Sequence, residues 1–371
     1  MVVPSLTASQ VLRLRLRSQQ LSGGRAADVA EVVARMGALQ AQSTRDARLA
    51  VRPRADGPDA AAVDEACNQT RSVVRTWAMR TTLHMLAAQD VGWVVDLFRP
   101  PAGVLSRRQR QLGLSAELLG RALPAIAGIL SECGPLARAA LVAKLADRGV
   151  VVDPRSQAPA HLIGYAARQG LVCRGPDLSD DEPTYVLLAD WVGEHAPLPP
   201  DQALAELARR YARAHGPAAA GDFAYWSGLP VGRARRAFEF AAGELREVDA
   251  AGERAWLDAA LDVSAPDPEA PCVRLLPHFD EYLLGYRSRD LALPAPFARR
   301  IQAGGGWVRA AIVVDGRVVG TWQQQRKGDQ SVITVETFAR LDPAALPGLE
   351  AEAADLGRFQ RTMTSLRVKS R

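Results

Sequence analysis

A repeated order of helix and strand signals limits what this chain can fold into more than any other feature. The order is clearest in the middle of the chain, where apolar residues recur at helical spacing after Ser115, a residue type that often caps helix N-termini. Gly134-Pro135 then opens a second helix, and a third helix stops at Gly170. Two runs typical of β-strands follow, at residues 171–174 and 184–188. Three helices followed by a hairpin predict a winged helix.

The same order returns 82 residues downstream, at Gly216-Pro217. One helix precedes this pair, a second carries Phe223 and Trp226, and a third, rich in arginine, covers residues 231–241. Strand-like runs at residues 245–248 and 254–257 then flank a glycine turn. The repeat predicts a second winged helix.

The N-terminal region fits the same order. Helices are expected at residues 8–20, 26–38 and 59–68, with a loop at 46–59 and hairpin strands at 73–78 and 82–86. Leucine and arginine alternate from Leu12 to Arg17, as they would in a strand, so the first of these helices has a strand as its alternative. A third winged helix is expected here.

The C-terminal region is dominated by strand signals. Runs at residues 310–314 and 317–322 flank Asp315-Gly316, a strong hairpin signal, and a further strand is expected at 332–338. Residues 324–329 form a polar, basic hairpin tip, and a helix at about 346–359 is expected to close the chain. The predicted fold is therefore α+β, with three tandem winged-helix domains (1–112, 113–198 and 199–264) followed by a β-rich domain (265–371).

Composition narrows the functional class. Hydrophobic residues make up 48% of the chain and charged residues 23%, as in globular proteins. We expect a cytoplasmic protein, because the sequence has neither an apolar run long enough to span a bilayer nor the pattern of a signal peptide. The four cysteines are scattered and the five histidines have no metal-ligand spacing, so no metal and no cofactor are expected.

The distribution of charge is more specific than its total. Between Arg71 and Gln111 the chain has seven arginines and two aspartates, an excess equal to the net charge of +5 of the whole chain. A local basic surface is typical of a protein that binds a polyanion. Together with three predicted winged helices, this favours DNA.

A short amide pair stands out within the first predicted winged helix. Gln40 and Gln42 flank Ala41 where the second helix should end, and an extended backbone would place both amides on one side. A helix that continued through the motif would instead turn the two amides roughly 200° apart. The segment RTWAMRTTLH (residues 75–84) forms the proposed wing. Each of these residues also has a structural interpretation. Gln40 and Gln42 would be a pair of surface amides, and Trp77 and His84 would be core residues.

The segment LPHFDEYLLGYR (residues 276–287) offers a second candidate site. His278, Asp280 and Glu281 could supply a general acid and base, which would make the protein a metal-free hydrolase. The alternative is a turn that holds a structural hydrogen-bond network.

Four motifs in this order, LQAQ, RTWAMRTTLH, GDFAYWSGL and LPHFDEYLLGYR, extend over nearly the whole chain. With them the sequence resembles the AlkZ-type winged-helix DNA glycosylases. The resemblance implies a C-shaped arrangement of three winged helices and a β-domain. It also implies monofunctional excision of N7-alkylguanine, including the release of interstrand crosslinks, as repair or as self-resistance to an alkylating natural product.

The family's catalytic signature is glutamine, a hydrophobic or small residue, then glutamine, and Gln40 and Gln42 match it. Some relatives have aspartate at the second position, whereas glutamine there resembles the crosslink-resistance branch. The implied partner is double-stranded DNA that carries alkylated or crosslinked guanine, bound by a monomer associated with a bacterial nucleoid.

The candidate DNA contacts are Arg75, Trp77, Arg80, Arg107, Arg108, Arg110, Arg326 and Lys327. The candidate accessory residues are His84, His278 and Asp280. No lysine lies near the glutamine motif, which argues against a Schiff-base lyase step. The main alternative function is a non-catalytic winged-helix protein that binds DNA or has a regulatory role.

Overall fold

The structure is a computed structural model, and it describes residues 3–179, 182–193, 195–264 and 269–369. The α-helices, in chain order, are α1 (Ala8–Ser18), α2 (Val29–Met36), α3 (Thr44–Val51), α4 (Ala60–Asn68), α5 (Ala88–Phe98), α6 (Arg107–Gln111), α7 (Ala116–Cys133), α8 (Arg138–Asp147), α9 (Ala158–Arg168), α10 (Leu188–Val192), α11 (Pro200–His215), α12 (Ala220–Ser227), α13 (Val231–Ala241), α14 (Glu281–Leu284), α15 (Ala298–Ile301) and α16 (Leu346–Gln360).

The β-strands, in the same order, are β1 (Ser5–Leu6), β2 (Leu39–Gln40), β3 (Val73–Trp77), β4 (Leu83–Ala87), β5 (Leu136–Ala137), β6 (Val172–Ser179), β7 (Glu182–Leu187), β8 (Leu245–Ala250), β9 (Glu253–Asp258), β10 (Val273–Leu276), β11 (Gln302–Gly304), β12 (Trp307–Val308), β13 (Ala311–Val314), β14 (Arg317–Lys327), β15 (Gln330–Thr337) and β16 (Met363–Lys369). The fold is a mixed α+β fold, as predicted.

The chain divides into two compact units. The first unit comprises Met1–Val63 and Leu204–Arg371, and the second unit comprises Asp64–Ala203. Helices and hairpins occur in the order expected from the sequence, with three helices (α11, α12 and α13) before the β8–β9 hairpin. The assignment of three winged helices and the bounds of the four expected domains stay predictions, and residue 265, where the last domain was expected to begin, lies outside the described residues.

A sheet with strand order β10-β13-β14-β15-β16 organises the C-terminal part of the first unit. The expected hairpin at Asp315-Gly316 is present between β13 and β14, and both residues have a left-handed φ, at 48° and 82°. A type I′ turn requires this conformation at its two central positions. Helix α16 packs against β10 and β16 of this sheet.

The second unit is built on helices α7, α8 and α9. Their apolar faces form one core with Val172 of β6 and Tyr185 of β7. Strand β3 pairs with β4 and also meets β6, where Arg75 lies opposite Arg174. The hairpins expected as the wings of the first and second winged helices therefore share one sheet.

Three expectations for local structure were wrong or incomplete. Residues 46–59 are not simply a loop, because α3 and a short 3-10 helix (Arg52–Arg54) occupy much of the segment. Helix α16 does not close the chain, since β16 follows it and pairs in parallel with β15. The strand alternative for Leu12–Arg17 was also wrong, because these residues lie within α1.

The N-terminal cap of α1 explains why the leucine–arginine alternation is helical. The Thr7 side chain accepts from the backbone of Gln10, and the Gln10 side chain accepts from the backbone of Thr7. This capping box satisfies donors at the helix start. Within the described ranges, no helix has the length and apolar character needed to cross a membrane.

Candidate active site

The two glutamines lie on a short extended segment between α2 and α3. Helix α2 ends at Gly37, and Ser43 caps α3 by accepting from the backbone N–H of Asp46. Leu39 and Ala41 are buried, while Gln40 is half-buried and Gln42 is exposed. This alternation places the two amides on one side, and Nε2 of Gln40 donates to Oε1 of Gln42 at 2.8 Å.

A buried carboxylate holds the backbone of this segment. The N–H of Gln40 donates to Oε1 of Glu281 at 3.0 Å, and the indole N–H of Trp226 donates to its Oε2 at 3.0 Å. The imidazole Nε2 of His215 lies 3.9 Å from the same carboxylate, which is 1% exposed. Because both carboxylate oxygens accept hydrogen bonds, Glu281 can remain buried and fix the position of Gln40.

Sequence reasoning did not assign this role to Glu281 or Trp226. Both residues lie in the motifs GDFAYWSGL and LPHFDEYLLGYR, where a polar group interrupts an apolar run. That pattern is a signal of a buried polar contact, but it does not name the partner.

Asp280, expected as an accessory acid or base, is instead part of a buried ion pair. Its two oxygens accept from both terminal nitrogens of Arg54, at 2.7 and 2.8 Å, and both side chains are fully buried. Asp280 also caps α14 by accepting from the N–H of Tyr282, and Gln19 accepts from Arg54. The expected accessory role of Asp280 is corrected, since this geometry matches the alternative of a structural hydrogen-bond network.

His278, two residues before Asp280, contacts different residues. Its Nδ1 lies 3.2 Å from Oδ1 of Asp46 on the first turn of α3, and its ring lies 5.6 Å from the exposed indole of Trp307. Phe279 between His278 and Asp280 has a left-handed φ of 58°, a conformation that is rare for a bulky residue. This bend separates the half-exposed His278 from the buried Asp280.

The carboxyl of Asp46 is influenced by its neighbours in opposite directions. Burial would raise the pKa of Asp46, but hydrogen bonds with His278 and Ser43, together with electrostatic interactions with His278 and Arg45, outweigh burial and lower it. Asp46 is therefore a carboxylate at neutral pH. A histidine and a carboxylate thus lie one helical turn beyond the glutamine pair.

The expected hairpin tip is shorter than predicted. Strand β14 continues to Lys327 and β15 begins at Gln330, so that only Gly328 and Asp329 form the turn. Arg326 and Lys327 are exposed at the end of β14, and Nε of Arg326 donates to the carbonyl oxygen of Gly328 at 3.0 Å. Arg45, three residues after Gln42, donates to Oε1 of Gln324 at 2.6 Å. Strand β14 of this hairpin therefore contacts α3.

Comparison with known proteins identifies the family. The model of the family described as "DNA glycosylase AlkZ-like" matches residues 33–359. The chain belongs to this family. As a member of the AlkZ-like DNA glycosylases it is an enzyme that hydrolyses N-glycosidic bonds, and the resemblance inferred from the four motifs is confirmed.

Two further similarities support the assignment of this AlkZ-like glycosylase. The chain is 31% identical over 363 residues to the "Interstrand DNA cross-link repair glycosylase" of Streptomyces sahachiroi, covering 94% of this chain and 95% of that protein. It also matches the solved structure of Streptomyces sahachiroi DNA glycosylase AlkZ with a TM-score of 0.82 and 28% identity, over 98% of this chain and 100% of the other.

In the second unit of the glycosylase, three candidate cations remain exposed on one short helix. Helix α6 carries Arg107, Arg108 and Arg110, and it begins with a capping box formed by Ser106 and Gln109. Arg108 donates to the Gln157 side chain at 2.8 Å. Arg80 is half-buried and has a left-handed φ of 53°. The exposed side chains on α6 can reach a phosphate without disturbing the core.

Three other candidates in the second unit make contacts within the fold. Arg75 is buried, forms an ion pair with Asp177 and donates to the carbonyl oxygen of Gly175 at 2.8 Å. His84 is buried, with Nδ1 3.0 Å from the carbonyl oxygen of Thr82. Trp77 stacks on Tyr185 at 6.4 Å and packs against the core of this unit. Because Arg75 and His84 are buried and already bonded, the expected DNA contact of Arg75 and the accessory role of His84 are corrected. Trp77 is half-buried, and its expected DNA contact stays a prediction.

Among the described residues, no group of three or more His, Cys, Asp or Glu side chains is arranged to hold a metal ion. The polar groups of the candidate site are its two amides, the Asp46–His278 pair and the buried carboxyl of Glu281.

Proposed function

We propose that this glycosylase releases N7-alkylguanine from double-stranded DNA and unhooks interstrand crosslinks, with Gln40 and Gln42 at the reacting sugar. The observation that carries the proposal is the hydrogen bond between the two amides at 2.8 Å on an exposed segment. The name of the Streptomyces sahachiroi relative, a crosslink repair glycosylase, supports the same substrate class.

The chemistry of the substrate makes a pair of neutral amides sufficient to promote departure of the base. Alkylation at N7 makes guanine cationic, so that its glycosidic bond is weakened and the base leaves as a neutral molecule. No strong general acid is needed for this step. An amide carbonyl can accept from a water molecule and an amide NH₂ can donate to one. Gln40 and Gln42 would hold water near the anomeric carbon and direct carbonyl dipoles at the developing positive charge.

The exposed cations fit a DNA substrate. Arg107, Arg108 and Arg110 on α6, and Arg326 and Lys327 on the β14–β15 hairpin, are the candidates whose side chains remain exposed. Phosphate contacts of this kind position a protein on the duplex and carry most of its affinity. A base crosslinked to the opposite strand cannot rotate freely into a deep pocket, unlike a flipped base. We propose that the enzyme engages the lesion in or beside the duplex, as a monomer, in repair or in self-resistance to an alkylating natural product.

The direct test is base release. The protein is incubated with a duplex that has one N7-methylguanine, and abasic sites are counted by strand cleavage with alkali. A duplex with an interstrand crosslink is followed in parallel on a denaturing gel, where unhooking separates the strands. The wild-type protein should act on both.

Variants distinguish catalysis from binding. Gln42→Ala should reduce release by about 10²- to 10³-fold, a loss typical of removing one group that stabilises the transition state, and should leave duplex affinity unchanged. Gln202 is an exposed glutamine on α11, and Gln202→Ala is the matched control. Retained activity in a Gln40→Ala, Gln42→Ala double variant would remove the glutamines from the mechanism. If the wild-type protein binds duplex and releases no base, the non-catalytic alternative is favoured instead.

A further inference from the structure

Hydrolysis by the two glutamines leaves one proton without an acceptor. When water adds to the sugar it must lose a proton, and an amide has no useful proton affinity near neutral pH. A group with a lone pair and a pKa near neutrality would complete the reaction. Histidine is the side chain whose unperturbed pKa suits this role.

Two hydrogen bonds join the glutamine segment to the turn that carries His278. One runs from the N–H of Gln40 to Glu281, and the other joins Asp46 to His278. Gln42 lies between these two anchor points in the sequence, and His278 lies at one end of the turn. These two contacts hold the turn that carries His278 against the segment that carries the amide pair and the start of α3.

The orientation of the imidazole is fixed by Asp46. Because the Asp46 carboxylate can only accept, Nδ1 of His278 carries the proton in their contact, and the lone pair of the neutral ring lies on Nε2. The His278 side chain is 37% exposed, so the ring is accessible to water. This is the arrangement by which a carboxylate selects the tautomer of a histidine base.

We propose that His278 is the proton acceptor of this glycosylase and that Asp46 positions it. The inference rests on the proposed function. The bond between the base nitrogen and the anomeric carbon breaks, and its electron pair leaves with the neutral N7-alkylguanine. The water oxygen bonds to the anomeric carbon, and its proton goes to Nε2 of His278. Charge and atoms balance, because the substrate cation becomes a neutral base and the proton resides on the imidazolium.

The surroundings of His278 fit this role. On α3, Asp46 is in direct contact with the ring, and the positive charge of Arg45 lowers the pKa of Asp46. From β12 the neighbour is Trp307, which is uncharged. The two carboxylates of its own turn are engaged elsewhere, Asp280 with Arg54 and Glu281 with Trp226. Asp46 is therefore the charged group in direct contact that stabilises the imidazolium formed in the reaction.

The wild-type pH profile is the first test. Single-turnover release of N7-methylguanine is measured between about pH 5 and 8, the interval in which an ordinary histidine titrates. A base must be neutral to accept a proton, so the rate should fall when acid protonates the imidazole. Duplex affinity is measured at each pH, so that a change in binding is not taken for a change in rate. A rate that is independent of pH over this interval overturns the proposal.

Variants supply the second test. His278→Gln should lower the rate by about 10²- to 10⁴-fold and remove the pH dependence, with duplex affinity unchanged. Added imidazole should restore part of the rate of His278→Gly, which a merely structural role would not allow. Asp46→Asn should lower the rate and alter the pH profile, because the ring loses the carboxylate that orients it and stabilises its charge.

The chain offers a matched control in another histidine–aspartate pair. In the second unit, Nε2 of His195 lies 3.2 Å from Oδ2 of Asp96 and the His195 side chain is 38% exposed, close to the values for His278. His195→Gln should keep the wild-type rate and pH profile. A His278→Gln protein that also keeps both overturns the proposal. Failure of the wild-type protein to release the base at any pH would instead refute the proposed function itself.

Discussion

Nε2 of Gln40 donates to Oε1 of Gln42 at 2.8 Å, so the two amides have different tasks within one pair. Gln40 is the donor of this hydrogen bond, and the carbonyl of Gln42 is its acceptor. The exposed Gln42 side chain also carries an NH₂ donor. A water molecule bound to the pair would meet a defined pattern of donors and acceptors rather than two interchangeable side chains.

This polarity predicts that the two glutamines respond unequally to glutamate. Gln40→Glu removes the donor and leaves two acceptor oxygens facing each other, so the rate of base release should fall by about 10²- to 10³-fold. Gln42→Glu retains an acceptor for Gln40 and adds a negative charge that can stabilise the oxocarbenium ion, so its loss should be smaller. Single-turnover assays on the N7-methylguanine duplex measure both rates. The opposite order of losses would show that Gln42, not Gln40, is the donor.

Asp280→Asn should destabilise the protein rather than remove an acid or base. Arg54 is fully buried and would lose its counter-charge, a change that costs about 3–5 kcal/mol in the free energy of unfolding. Urea unfolding measures this, with Asp290→Asn at an exposed position as the control. A stable Asp280→Asn protein that folds but no longer releases the base would return Asp280 to a catalytic role.

The exposed arginines of α6 should govern the salt dependence of DNA binding. Replacing Arg107, Arg108 and Arg110 by glutamine should reduce the slope of log affinity against log salt by about 0.9 for each phosphate that the protein no longer neutralises. Titrations of a labelled duplex at several salt concentrations measure the slope. Arg121→Gln, at an exposed position on α7, serves as the comparison. An unchanged slope in the triple variant would exclude α6 from the DNA interface.

Two cysteines should differ sharply in their reaction with thiol reagents. Burial raises the pKa of the Cys173 thiol to about 12, against the opposing charges of Arg75 and Arg71, whereas Cys133 is exposed. The thiolate is the reactive form, so Cys133 should be modified rapidly in the native protein at mildly alkaline pH and Cys173 only after unfolding. Peptide mass spectrometry after brief labelling identifies the site, and Cys133→Ser should lose the rapid phase. Rapid native labelling of Cys173 would contradict its burial.

Much of the local structure could be predicted because its causes are local. The periodic apolar residues of α7, α9 and α11 and the turn at Asp315-Gly316 specify their elements within a few residues. For the glutamine motif the sequence left an extended and a helical backbone open, and the structure has the extended one, which unites the two amides. Helix α3 was missed because the prolines nearby suggested a loop, while its stability comes from the Ser43 cap and from burial of the segment that follows.

The surroundings of the candidate site could not be predicted in the same way. Arg75 and Arg80 are both arginines in one motif, yet Arg75 pairs with Asp177, which lies 102 residues away. Nothing near Arg75 in the sequence distinguishes a buried ion pair from a phosphate contact. Strand β16 was missed for a similar reason. It pairs with β15 only because α16, which separates the two strands in the sequence, packs on the sheet and brings β16 beside β15.

The sequence alone determined which family the protein belongs to, helices such as α7, α9 and α11, and the two amides at its candidate site, because these depend on residue type and short spacings. Tertiary structure alone decided what surrounds the amides. Gln40 binds Glu281, 241 residues away, and Asp46 binds His278, 232 residues away. A hydrogen bond needs two groups within about 3 Å, and only the folded chain brings residues so distant in sequence to that separation.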